Sequence, residues 1–149
     1  MAKGIAARLD VERCILIVDP DIQKLDSIVH TLPKEWKHLS IGKELSNHLL
    51  TSVSTDRAHA AHEWLELTLR KHAPGPVICT DIDIIFHPAF AFDPLAILKQ
   101  ASRHTIIVVL WPGDYQSGIL SYAIPTHQHY RFWRNPEEVE IKGVSDALL

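Results

Sequence analysis

Three stretches of the chain place carboxylates directly after apolar runs: "ILIVDPD" ends in Asp19 and Asp21, "VICTDID" in Asp81 and Asp83, and "VVLWPGD" in Asp114. Carboxylates in such places hold magnesium, and magnesium holds phosphate, so nucleotide binding is the first chemistry to weigh. The plainer reading is that Asp19 and Asp21 build a turn and cap a helix, and that Asp114 belongs to a Pro-Gly-Asp turn. The first stretch has the place of a phosphate-binding loop, strand to loop to helix, without its composition. A P-loop reads G-x-x-x-x-G-K-S/T because glycines let backbone N–H groups wrap the phosphates, lysine reaches the terminal phosphate and the hydroxyl holds magnesium. Here "DPDIQKLD" has no glycine, Pro20 removes a donor, and only Lys24 imitates the lysine. Two like unit charges about 4 Å apart repel by roughly 4 kcal/mol at an effective dielectric of 20, so Asp19 and Asp21 oppose a triphosphate unless a cation intervenes.

The second stretch looks like a Walker B strand, an apolar run leading to a magnesium-holding carboxylate, with Asp81 or Asp83 in that role. His59, His62 and Glu66 share a helix face at spacings of three and four, but without the H-E-x-x-H order, so a solvated face is expected and no metal site is assigned. Ser117 lacks the surroundings of a nucleophile elbow. Cys14 and Cys79 lie inside apolar runs, as small buried thiols do.

The elements that must position these groups follow from hydrophobic period. Arg13–Asp21 reads as a strand buried on both faces, and Ile22 to Leu32 as an amphipathic helix capped by Asp21 and ended by Pro33. "EWKHLSI" reads as a short strand. "GKELSNHLLTSV" reads as a short helix with Leu45, Leu49 and Leu50 on its apolar side. Ser54–His72 is the best helix, capped by Ser54 or Thr55, with Asp56 in its first turn and Ala58, Ala61, Leu65 and Leu69 as its buried stripe. Val77–Phe86 reads as a second buried strand, "DPLAILKQAS" as a helix with Asp93 as cap and Pro94 at its first position, and His104–Trp111 as a third strand stopped by "PGD". "GILSYAI" and "HYRFWR" are shorter β-like segments. Buried strands alternating with helices imply a three-layer α/β fold, a mainly parallel sheet with helices on both faces. Residues 1–136 form the expected domain and 137–149 a polar tail with little core content.

With 149 residues, 46% hydrophobic and 22% charged, the composition excludes disorder and fibrous repeats. No apolar run approaches the roughly 20 residues of a membrane span, and the N-terminus has no signal-peptide core, so a cytoplasmic location without membrane contact is expected. Fifteen Lys and Arg against 18 Asp and Glu, a formal charge of −3, give no global field for nucleic acid and leave only a local groove as a DNA contact. The 10 histidines are scattered from His30 to His129.

Taken in order, "IGKELSNHLL", "DIDIIFHPAFAFDPLAILKQASRHTIIVVLWPGD" and "LSYAIPTHQHY" resemble the BrxF family, small P-loop-containing proteins of bacteriophage-exclusion (BREX) defence operons. The likeness covers roughly residues 13–131 and is most specific at "DPLAILKQASR", the following W-P-G and the ending "SYA-x-P-x-H-x-x-Y". It implies a P-loop NTPase-like fold and a defence setting; the expected partners are other BREX proteins, bound either by a homo-oligomer or by a pseudo-ATPase subunit. Where family members carry the P-loop, this chain has Asp19 to Lys24, with Leu25 in place of the hydroxyl residue. If Asp83 and Phe86 match the acidic residue and Phe after the Walker B carboxylate, Thr80 takes the carboxylate's place beside Asp81. Ser102 and Arg103 match a family pair, which implies a phosphate or subunit contact for Arg103. The expectation is a degenerate, non-hydrolysing member: no catalytic residues, and Asp19, Lys24, Asp81, Asp83 and Arg103 as the residues of a weakened site for ATP or ADP with magnesium.

Two other classes compete. "ILIVDPD" before an amphipathic helix is also similar to the start of a response-regulator receiver domain, with Asp81 as phosphoacceptor. Against it, two helical segments fill the stretch to Asp81, and Arg134 stands where a lysine belongs. The third reading is an interaction module that exposes Trp111, Tyr115, Tyr130, Trp133 and neighbouring residues, aromatics that equally suit a core.

Overall fold

The computed structural model describes residues 13–51, 56–90, 92–123 and 129–144. The apolar run after Arg13 forms β1 (Cys14–Asp19), and α1 (Ile22–Val29) follows, capped by Asp21 as its sequence predicts. Next come β2 (Lys37–Ser40), α2 (Ile41–Thr51), α3 (Arg57–Lys71) and β3 (Val77–Thr80). Two short 3-10 turns, Asp83–Phe86 and Pro88–Phe90, lead to α4 (Pro94–Ala101), then β4 (Ile107–Gln116), β5 (Ile119–Tyr122), β6 (Arg131–Arg134) and β7 (Glu140–Gly143).

Five strands form a parallel sheet in the order β2-β3-β4-β1-β7, and β5 and β6 extend the far half of β4 as antiparallel strands. Alternate residues of each central strand serve opposite faces. Leu16, Cys79 and Val109 meet α2, α3 and α4 on one side, whereas Ile17, Ile78 and Leu110 meet α1 on the other. This is the expected three-layer α/β arrangement. Continuous apolar runs become strands here because a parallel sheet covered by helices leaves neither strand face to water.

Several boundaries differ from the sequence reading. β3 stops at Thr80, where Asp81 adopts a left-handed backbone (φ 54), so Val77–Phe86 is a short strand followed by a 3-10 turn. "PGD" does not stop β4. The chain passes through Pro112, Gly113 and Asp114, because the left-handed Ser117–Gly118 turn (φ 51 and 78) folds β5 back onto residues 113–116. Within the segment 137–149, expected to be a tail with little core content, Glu140–Gly143 form β7, which pairs with β1, and Val139 and Ile141 pack against the large core. Asp56, not a first-turn residue, caps α3 by accepting the His59 N–H; Ser54 and Thr55 lie outside the described residues. Ile22 and Leu50, expected on apolar faces, are 56% and 80% exposed.

Trp111 belongs to the interior, and Trp133 is half-buried against it. Trp111 is fully buried, its ring 5.1 Å from Phe86 and 5.4 Å from Trp133, and Phe86 stacks on Tyr122 at 3.7 Å. The exposed-aromatic reading therefore fails for Trp111, holds for Tyr115 and its neighbour Phe132, which are 43% and 50% exposed, and holds in part for the half-buried Tyr130 and Trp133. Neither cysteine is in a disulfide, both are fully buried, and burial, with Cys14 as the lesser cause, pushes the Cys79 thiol pKa well up. Only a thiolate attacks an alkylating reagent. The native chain should therefore resist iodoacetamide at pH 8 and take it up at both cysteines once unfolded in urea, read by intact mass; rapid labelling of the native chain would contradict this burial.

Candidate functional site

The carboxyl end of β3 and the middle of β4, at Leu110 and Pro112, open into a cleft of about 350 Å³ between the start of α1 and the turn after β3. Ile22 and Asp26 form one wall, Thr80, Asp81 and Asp83 the other, and Pro112 closes the floor. This is the edge at which open α/β sheets bind ligands.

The turn after β1 is built from its own carboxylates. Asp19 Oδ1 accepts the Asp21 N–H at 2.8 Å, and Asp21 Oδ1 accepts the Gln23 N–H at 2.9 Å. Both aspartates thus perform the local roles that short polar side chains take at turns and helix starts. Lys24 lies exposed in the first turn of α1 and does not line the cleft.

Asp81 is bound to the start of α2. Its carboxylate accepts the Ser40 hydroxyl at 3.3 Å, and its carbonyl accepts the Gly42 N–H at 2.8 Å. A Cβ on Gly42 would lie 2.8 Å from that carbonyl oxygen and closer still to the carboxylate, so glycine is what lets α2 approach Asp81. Beside it, the Thr80 hydroxyl and His38 Nε2 are 2.8 Å apart. Asp83 accepts the Tyr122 hydroxyl, which joins the 3-10 turn to β5. Burial, then the hydrogen bond and charge of Asp83, raise the Tyr122 phenol above its ordinary pKa. Sequence reasoning missed Tyr122, Ser40 and Gly42 as partners of these aspartates, and no local spacing signals a contact 39 residues apart.

Among the five residues expected to share a nucleotide site, Asp81 and Asp83 line the cleft and Asp19 and Lys24 stand in the turn and helix beside it. Arg103 does not join them. It lies exposed after α4, before β4 begins, at the opposite edge of the sheet. Asp114 is also elsewhere, on β4 across from Ser121 of β5, its carboxylate accepting the Tyr115 N–H. On α3, His59 pairs with Glu63 at 3.3 Å and Glu66 with Arg70 at 3.4 Å, while His62 packs edge-on against Phe92. Among the described residues no group of three His, Cys, Asp or Glu is arranged to hold a metal ion.

The cleft therefore presents Asp26, Asp81 and Asp83, with no lysine, arginine or histidine in its lining. Such a lining repels phosphate. The strand order also differs from that of receiver domains, which run 2-1-3-4-5; here β1 lies between β4 and β7. Compared with protein-family models, curated proteins and solved structures, the chain matches none. No helix among the described residues is long and apolar enough to cross a membrane.

Proposed function

We propose that this chain is a non-hydrolysing, P-loop-like accessory subunit of a BREX-type antiphage system, acting in the cytoplasm by binding other proteins of that system. The observation that carries the non-hydrolysing part is the Asp21 cap. In a P-loop the N–H groups at the helix start grip phosphate. Here a carboxylate of the chain itself accepts one of them, with a second carboxylate, Asp19, bonded to the same turn. The defence setting rests on the sequence blocks "DPLAILKQASR" and "SYAIPTHQHY". The topology is compatible with the P-loop part: β1, which bears the altered loop, and β3, which ends at Thr80, are parallel strands of one sheet with β4 between them.

A chain of this kind holds its cleft as a shape. The carboxylates brace the surrounding turns, Asp81 against α2 and Asp83 against β5, and leave the exposed surface for partners. Co-expression of the affinity-tagged chain with the remaining proteins of a BREX operon tests the reading. A stable complex that forms equally with and without ATP is expected, with no ATP hydrolysis by the isolated chain. Failure to form any complex, or hydrolysis that Lys24→Ala abolishes, would overturn it.

A further inference from the structure

β6 has two faces with different fates. Trp133 and Arg131 turn inward, where Trp133 packs on Trp111 and the Arg131 guanidinium donates to the Phe92 carbonyl at 3.1 Å. Phe132 and Arg134 turn the other way. Phe132 is 50% exposed, the Tyr130 ring lies 6.3 Å from it at a tilt of 36°, and the Arg134 guanidinium sits 5.5 Å over its centroid. Neither arginine pairs with a carboxylate among the described residues. Among the described residues β6 is also an edge strand, bonded only to β5.

Nothing in the core requires this row, since Tyr130 and Phe132 belong to neither hydrophobic cluster. Residues two apart on a strand repeat about every 6.6 Å. That is close to the separation of successive bases in an extended single strand. Flat rings at this repeat, with a guanidinium at one end, make a surface on which bases stack and a phosphate finds a cation. A peptide side chain would need a pocket, and the cavity beside β6 is lined by Tyr130 and Arg131, not by Phe132 or Arg134. Asp114 shares the face but lies two strands away, about 9–10 Å inward, so a phosphate chain following β6 along the open edge passes clear of it.

We propose that Tyr130, Phe132 and Arg134 form a stacking platform for single-stranded nucleic acid. Its contacts are to base faces and phosphate, so it tolerates any sequence. Duplex DNA, whose bases are already stacked, gains nothing from it. With one cation on the face and a formal charge of −3 overall, binding is weak and sensitive to salt.

Fluorescence anisotropy of a short labelled oligothymidylate, its duplex with oligoadenylate and a labelled oligoglutamate, each titrated with the full chain, tests the platform. Saturable binding of the single strand is expected at about 50 mM salt and weaker binding at about 150 mM. Phe132→Ala should reduce affinity about tenfold, as loss of one stacked base does. Phe132→Tyr should restore it, and Arg134→Ala should weaken it, all with unchanged melting curves because these side chains are exposed. No binding of the single strand, equal binding of duplex, binding indifferent to Phe132→Ala, or preference for the oligoglutamate would each overturn the proposal.

Discussion

Trp111→Ala is expected to lower the stability of the fold by about 3–5 kcal/mol, the usual range for emptying a large aromatic site in a core. The site cannot collapse easily. Phe86 and Trp133 pack edge-on against the indole, and Phe86 is itself held by its stack on Tyr122. The substitution also removes the hydrogen bond in which the Ser121 carbonyl accepts the indole N–H at 2.9 Å. A domain's whole stability is about 5–15 kcal/mol, so the loss is a large share of it. Urea unfolding should show the midpoint falling steeply with little change in slope. A loss under about 1 kcal/mol would mean that the four aromatic rings do not hold the hairpin to the sheet.

Gly113→Ala should be nearly as damaging through the opposite error, excess volume. A Cβ there would overlap the Ser121 carbonyl oxygen, lie 2.9 Å from its carbon and 3.0 Å from the Trp111 indole nitrogen. Most of these are backbone atoms of the paired strand, which cannot swing aside as the tip of a side chain can. Overpacking costs about 1–3 kcal/mol where side chains yield, and the rigid partner here puts the expectation at the upper end or beyond. At 2–4 °C per kcal/mol for a chain of this size, the melting temperature should drop by roughly 6–12 °C. Tyr122 pairs with Gly113 and donates to Asp83, so the same strain reaches the cleft wall. The two substitutions share the Ser121 carbonyl, and their double variant should lose less than the sum of the two. A drop of under about 2 °C for Gly113→Ala would show that β4 and β5 are not in this register.

What the sequence revealed was mostly local. Asp21 and Asp93 are visible as caps because each bonds N–H groups two or three residues ahead, and "CILIV" and "IVVLW" are visible as strands because both faces are buried. Distant partners hid the rest. In "VICTDIDIIF" the β-branched pattern runs on past Thr80, but Asp81 turns the chain where α2 meets it at Gly42, a contact with no trace in the stretch itself. "PGD" carries turn residues, yet pairing with β5 keeps residues 112–114 extended. β7 was hardest to see. Ile141 is its one apolar residue among Glu140, Lys142 and Gly143, and only its place beside β1 makes it a strand. The same division applies to the site. Carboxylates at one sheet edge were legible from strand ends, whereas the bonds of Asp81 to Ser40 and of Asp83 to Tyr122, which brace the turn after β3, were not.

The most direct test of this account is calorimetric titration of ATP and of ADP, each with magnesium, into the purified full chain. The cleft's three carboxylates and the Asp21 cap predict no saturable heat even at millimolar nucleotide. Micromolar binding that Lys24→Ala or Asp81→Asn weakens would contradict it and make the turn after β1 a working nucleotide site.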